Sequence, residues 1–246
     1  MLKKFIIILV SLILVSSAFA VEKEFPTIPD DCFDVNIYCS NSEVVKKVIT
    51  VLDVDGKLVT KESSVVNVKI FLVLGSETDF IKLDTIKKRF FDFNSWEKYA
   101  KDYKKVVRYK KSFDMGDTII GNETIKRHYV NYKMKGPFGK WFKVRTVGYY
   151  KGLEAPIQDA NYSAIFENQL KGTFKVEGED VLKGAEGFNY TAGEFHIKYD
   201  EDEDVHLVYY TANVKPGVNL FGAEHVAKKH VEAGILALLK GMFKTE

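Results

Sequence analysis

Residues 222–243 read GAEHVAKKHVEAGILALLKGMF, and the spacing of apolar side chains in that stretch decides the fold. Ala227, Val231, Gly234, Ile235, Leu238, Leu239 and Met242 recur at steps of three and four, which is one face of an α-helix. Lys228, Lys229, Glu232 and Lys240 fall largely on the other face. At 1.5 Å per residue the helix runs about 33 Å. A helix of that length with one apolar face has to bury it against another element.

The cover lies upstream, where the period changes from helical to two. Pro216-Gly217 marks the switch. Before it, β-rich runs recur over Val106–Phe113, Thr118–Ile120, Thr124–Met134, Trp141–Tyr150, Tyr162–Leu170, Thr173–Glu177, Phe188–Tyr199 and Val205–Val214. Turn signals such as Asp114-Met-Gly116 and Gly136-Pro137-Phe138-Gly139 separate them, the pattern of an antiparallel meander. Val65–Leu74 is a further strand. Between it and the meander, Glu77–Phe91 carries Phe80, Ile81, Leu83, Ile86 and Phe90 at near-helical spacing. Asp92-Phe93-Asn94 ends that helix, and Ser95 is placed to cap a second short one, Trp96–Ala100. The fold class is therefore α+β: strand, two short helices, a run of antiparallel strands, and a long closing helix gripped by a curved sheet. A lipocalin-like barrel with the helix outside is the competing architecture.

This order resembles the helix-grip proteins of the START-like, or SRPBCC, superfamily. Residues 65–246 carry the resemblance. Val68-Lys-Ile-Phe-Leu-Val through Asp92-Phe93-Asn94-Ser-Trp96-Glu-Lys-Tyr99 looks like the family's first strand and helices. Gly193-Glu-Phe195-His-Ile197 to Val208-Tyr-Tyr210 looks like its last hairpin, and Pro216–Phe243 like its closing helix. The resemblance implies an apolar cavity between sheet and helix. It also implies a ligand drawn from lipids, sterols, polyketides or hormones, which some members cyclise or hydrolyse.

Residues 21–64 stand outside the match. Val44–Leu52 and Lys57–Thr60, joined at Asp53-Val-Asp55-Gly56, read as a hairpin that either stands apart or extends the sheet. Cys32 and Cys39 are the two cysteines, and an even pair in an exported chain reads as a disulfide tying down the N-terminal segment. Export itself is expected from residues 1–20: Lys3-Lys4, an apolar run through Val15, and Ala18-Phe19-Ala20 as a cleavage site. The expected place of action is a bacterial periplasm or the extracellular space. Asn122-Glu-Thr, Asn161-Tyr-Ser and Asn189-Tyr-Thr match the glycosylation tripeptide, which matters only in a host that uses it.

Of 36 basic residues, Lys3 and Lys4 leave with the signal, so 34 remain against 34 acidic ones. That balance argues against a nucleic-acid partner. The local distribution is uneven, with 11 basic and 4 acidic residues from Lys82 to Lys111. The plain reading is a solvated surface. The sharper one is peripheral contact with an anionic membrane, with Phe90, Phe91, Phe93, Trp96, Tyr99 and Tyr103 as interfacial rings.

No catalytic constellation stands out. None of His128, His196, His206, His225 and His230 sits in a His-Glu-x-x-His motif, and His225 and His230 are off a common helical face. His196 and His206 read as a surface pair across a hairpin. There is no nucleophile elbow, no phosphate loop and no dinucleotide fingerprint, so neither a catalytic residue, a metal nor a cofactor is expected.

Period-two alternation aims Phe142, Val144 and Thr146 at one face, and Val130, Tyr132 and Met134 likewise. Phe195, Ile197, Val208 and Tyr210 come from the last hairpin, and Ile235, Leu238 and Leu239 from the helix. The candidate ligand-binding residues are Val130, Tyr132, Phe142, Val144, Phe195, Ile197, Tyr210, Ile235 and Leu238. Plain core packing asks for the same residues; the two readings differ in whether a gap remains among them. The function expected is binding or carriage of an apolar small molecule or lipid. An enzyme of cyclase or hydrolase type, and a partner-binding protein with a filled core, stay open beside it.

Overall fold

A computed structural model of the chain describes residues 24–29, 32, 38–52, 57–75, 82–120, 122–153, 157, 159–168, 188–217 and 223–243. The expected export signal, the turn at 53–56 and the strand expected at 173–177 lie outside them. Eight strands form one antiparallel sheet: β1 (Tyr38–Leu52), β2 (Leu58–Gly75), β3 (Val107–Ile120), β4 (Glu123–Lys135), β5 (Trp141–Leu153), β6 (Tyr162–Asn168), β7 (Phe188–Asp200) and β8 (Val205–Pro216). Their order across the sheet is β1-β2-β8-β7-β6-β5-β4-β3. Three α-helices occur among the described residues: α1 (Leu83–Phe90), α2 (Trp96–Tyr99) and α3 (Ala223–Met242).

The sheet is open and curved, and α3 lies along its concave face, the helix-grip arrangement expected from the sequence rather than a closed barrel. Strand β2 supplies the backbone of that face. Val66, Val68, Ile70, Leu72 and Leu74 alternate inward and are fully buried, while β-branched residues suit the pleat. Val208 and Val214 of β8, Phe195 and Ile197 of β7, and Val231, Leu239 and Met242 of α3 join them in one core cluster. Gly241 lets α3 settle on α2: a Cβ there would stand 1.8 Å from the Tyr99 carbonyl oxygen.

β1 and β2 form a hairpin in register from Leu52↔Leu58 to Tyr38↔Leu72, which extends the sheet beyond β8. The two expected runs, Lys57–Thr60 and Val65–Leu74, belong to the single strand β2. Cys32 and Cys39 are bridged. The bridge ties the preceding segment to the start of β1, where Ile28 and Cys32 pack with Val73, Val205 and Leu207 on the convex side of the sheet.

Two local expectations are corrected. Asp114-Met-Gly116 is not a turn between strands but a register shift inside β3, where Gly116 takes a φ of 76° and its amide donates to Asp114 Oδ1 at 2.7 Å. A bulge absorbs the extra residue without ending the pairing. Ser95 makes no side-chain cap to α2, since Phe93–Ser95 is already a 3₁₀ turn leading into it. The corner is held instead by Trp96, whose Nε1 donates to the Phe90 carbonyl at 3.3 Å, and by Tyr99, whose hydroxyl donates to Asp92 at 2.7 Å. The first helix is described from Leu83, and residues 77–81 of the expected span lie outside the described ones.

Candidate functional site

Between the concave sheet and α3 lies a cavity of about 80 Å³. Strands β3 to β8 form its floor, the α1–α2 corner one wall, and the middle of α3 the roof. Because every second residue of a strand points inward, β4 contributes His128, Val130, Tyr132 and Met134 in one row. Thr146 and Tyr150 come from β5, Phe166 and Asn168 from β6, and Thr191 from β7. Gly234 of α3 sits over Met134, where a Cβ would meet its sulfur at 2.6 Å, so the helix approaches closely there.

Five of the nine candidate residues, Val130, Tyr132, Tyr210, Ile235 and Leu238, line this cavity. Val144, Phe195 and Ile197 are buried in the core beside it and do not reach its surface. Phe195 is stacked on Phe90 at 3.9 Å, which closes off that end. Phe142 is half-buried, with its ring against Gly136 at the end of β4.

The cavity wall is aromatic. Tyr109 stacks on Tyr132 at 5.0 Å, Tyr150 on Phe166 at 5.4 Å and Phe166 on Tyr210 at 5.2 Å. Burial pushes the hydroxyls of Tyr132 and Tyr150 up, and those of Tyr109 and Tyr210 well above the ordinary range, so all four stay protonated. Among the described residues, no Asp, Glu, Lys or Arg lines the cavity.

His128 is the residue that sequence reasoning passed over. Its ring lies between Phe93, stacked at 4.5 Å, Trp96 at 4.7 Å and Tyr150 at 5.1 Å. It is 2 % exposed, and neither ring nitrogen has a partner of hydrogen-bonding geometry. Burial pulls its pKa down to about 3, against a smaller upward pull from the Gly148 backbone, so the imidazole is neutral. The hydroxyl of Thr191, also at the cavity, is likewise buried without a partner. The signal was available: His128 shares the alternation that selected Val130, Tyr132 and Met134.

A second polar cluster occupies the opposite, convex face. His196 Nε2 is 2.9 Å from Glu194 Oε2, and its Nδ1 is 2.7 Å from Ser163 Oγ. With Nε2–H donating to the Glu194 carboxylate, Nδ1 accepts from the serine hydroxyl. This is the composition of a hydrolytic triad with the ring nitrogens exchanged. Ser163 has no exposed surface and His196 only 1 %, so the relay is closed to a substrate and ties β6 to β7. The expected surface pair of His196 and His206 is corrected: both are buried, and the pairing Tyr199↔His206 with His196↔Tyr209 puts them on opposite faces. No group of metal-ligating side chains occurs among the described residues.

The rings of the basic stretch turn inward. Phe90, Phe93, Trp96 and Tyr99 are buried in the main core, and Phe91 and Tyr103 are half-buried. They pack α1 and α2 onto the sheet while Lys88, Lys98 and Lys101 face water.

No protein-family profile matches the sequence, and no curated protein matches it. Comparison of folds finds similar solved structures. TTHA0849 from Thermus thermophilus is 13% identical with a TM-score of 0.48, over 72% of this chain and 94% of that one. A START superfamily protein from Mycobacterium smegmatis is 12% identical with a TM-score of 0.42, over 72% and 97%. The lipid transfer and protein localization domain of human StarD13 (DLC2) is 8% identical with a TM-score of 0.41, over 81% and 90%.

Proposed function

We propose that this chain binds an uncharged, largely apolar small molecule or lipid portion with a hydrogen-bonding end, held between the concave sheet and α3. The observation that carries the reading is His128: a neutral imidazole set in an aromatic wall and facing the cavity, whose nitrogens make no well-formed hydrogen bond and have only the Gly148 backbone close by. Buried polar atoms without partners cost about 1–3 kcal/mol each, and a ligand hydroxyl or carbonyl would supply the missing bond. An anionic headgroup would find no cation at that wall. Carriage is preferred to catalysis because His128 has no acid or base beside it on the cavity wall.

The size of the cavity favours a second reading. Pockets for drug-sized ligands enclose about 300–1,000 Å³, well above the 80 Å³ here. Either α3 and the rings beneath it shift to admit a ligand, or the core is filled and the outer surface carries the function. Organic extraction of the native protein, followed by mass spectrometry, separates the two. A bound molecule lost from a His128→Phe variant supports the cavity reading. No bound molecule, together with no shift in melting temperature across phenols, sterols and fatty alcohols, leaves the filled core. We also propose that the protein acts after export, in a periplasm or outside the cell; the Cys32–Cys39 bridge supports this, since such bridges persist in oxidising compartments.

A further inference from the structure

The turn between β4 and β5 ends in a phenylalanine that the fold does not use. Phe138 is 95% exposed, and its backbone takes φ 57°, ψ 25°, the left-handed region that bulky residues rarely adopt. Glycine or asparagine would fit that backbone with less strain. Phe138 stacks on no ring among the described residues. In water the tip therefore carries both backbone strain and a bare aromatic ring. Neither contributes to the core.

The surroundings of the tip are cationic. The Gly136 amide donates to the Lys140 carbonyl at 2.7 Å, which closes the turn with Lys135 and Lys140 on either side. The Lys135 amide donates to the Val106 carbonyl at 2.8 Å, bringing the Lys104-Lys105 turn alongside. Arg108 pairs in register with Lys133, and its guanidinium lies 4.1 Å from the centre of the Trp141 ring. Like charges opposed across strands are unfavourable unless something else holds them. Lys104, Lys105, Arg108, Lys133, Lys135 and Lys140 form no ion pair among the described residues. The far end of the same three strands differs: Lys126 pairs with Asp117 and Lys151 with Glu123.

We propose that this tip is a docking surface for an anionic lipid bilayer, with Phe138 entering the interfacial layer and the six cations meeting the headgroups. An aromatic ring at headgroup depth flanked by snorkelling lysines is how peripheral elements hold such a surface. Docking takes the exposed ring out of water and brings the clustered charge against counter-charge, while the backbone strain at Phe138 is the cost of holding the ring at the tip. A duplex nucleic acid would satisfy the cations but not a ring projecting from the end of a hairpin. The surface is separate from the cavity, and the proposal does not depend on what the cavity holds.

The test is sedimentation of the full mature protein with phosphatidylcholine vesicles, with and without phosphatidylglycerol, at low and high salt. Binding should require the anionic lipid and weaken with salt. Phe138→Gly, which relieves the backbone, should keep or raise the melting temperature while lowering partitioning several-fold. Lys135→Gln and Lys140→Gln should each lower it roughly fivefold. Equal or negligible wild-type binding to both vesicle types overturns the proposal. So does Phe138→Gly binding like wild type, or a short DNA duplex taken up where vesicles are not.

Discussion

Ser40 on the outermost strand donates its hydroxyl hydrogen to Glu232 on the closing helix at 2.7 Å, and Ser42, two residues on, donates to the other carboxylate oxygen. Lys229 adds a third bond at 3.2 Å. The extension that precedes the helix-grip core is thereby fastened to its last element.

Glu232 therefore sets an acid limit on that fastening. Burial works to raise its pKa, but the bonds from Ser42, Ser40 and Lys229 outweigh it and hold the carboxyl below the usual range. A depressed carboxylate contributes stability above its unfolded pKa, and that contribution is lost as pH falls through the folded one. Glu232→Gln is expected to lower stability at neutral pH by about 1–2 kcal/mol. It should also flatten the decline below about pH 4.5, the range of an unperturbed carboxyl. Urea titrations of both proteins from neutral to acid pH measure this; parallel curves would contradict it.

His128 gives a slope at higher pH. Its folded pKa of about 3 lies below the ordinary 6.5, so the unfolded chain binds the proton that the folded chain refuses. Stability should fall as pH drops below 6.5, by up to about 1.4 kcal/mol per unit within that window. His128→Phe should remove this component of the slope. Because it also removes two nitrogens without a well-formed hydrogen bond from an aromatic box, it should raise stability at neutral pH by about 1 kcal/mol. A variant that melts lower than wild type, with its pH slope intact, would show that the imidazole has a partner.

The Cys32–Cys39 bridge closes a short loop. Reduction, or Cys39→Ser, is expected to cost about 2.5 kcal/mol from loop entropy. It should release the segment around Ile28 from Val73, Val205 and Leu207, while the core under α3 persists. Limited proteolysis with and without reductant, followed by mass analysis, would detect this: new cuts should fall before β1. Unchanged cleavage would mean that packing alone holds the segment.

At Gly241, α3 comes too near α2 to leave room for a side chain. Gly241→Ala places a methyl group against the Tyr99 carbonyl, which has no flexible side chain to yield. A loss of about 1–3 kcal/mol is expected despite alanine's better helix propensity. Thermal melts decide the sign. A stabilised variant would show that the helix can lift from the corner without penalty.

The sequence made the closing helix legible because its face repeats over five turns, and the strands legible because β2, β4, β5 and β7 alternate cleanly. It did not reveal where β3 bulges, since Asp114-Met-Gly116 has the composition of a turn and only the pairing with β4 distinguishes the two. The inward row of the site could be read from alternation, which found Val130 and Tyr132. Depth along each strand could not, so Val144 and Ile197, on the right face, lie beyond the gap. His128 was missed for a different reason: a histidine counts as a site residue only when its partners are known, and here their absence is the signal. The Ser163–His196–Glu194 relay depends on β6 and β7 lying in register, which no local pattern states.

The pairing of β2 with β8 has a kinetic consequence. Val66 faces Val214 and Leu74 faces His206, so β2, paired on one side with the adjacent β1, finds its second partner only after β3 to β7. The cost of closing so long a loop comes before any reward from the contact, which places such topologies among the slower folders. A ribosome would make β3 to β7 before the second edge of β2 could be satisfied, and until then its run of valines stays open to other binders. Stopped-flow refolding of the chain should show a main phase in milliseconds to seconds, not microseconds. That delay is time in which a chaperone can act on the open strand.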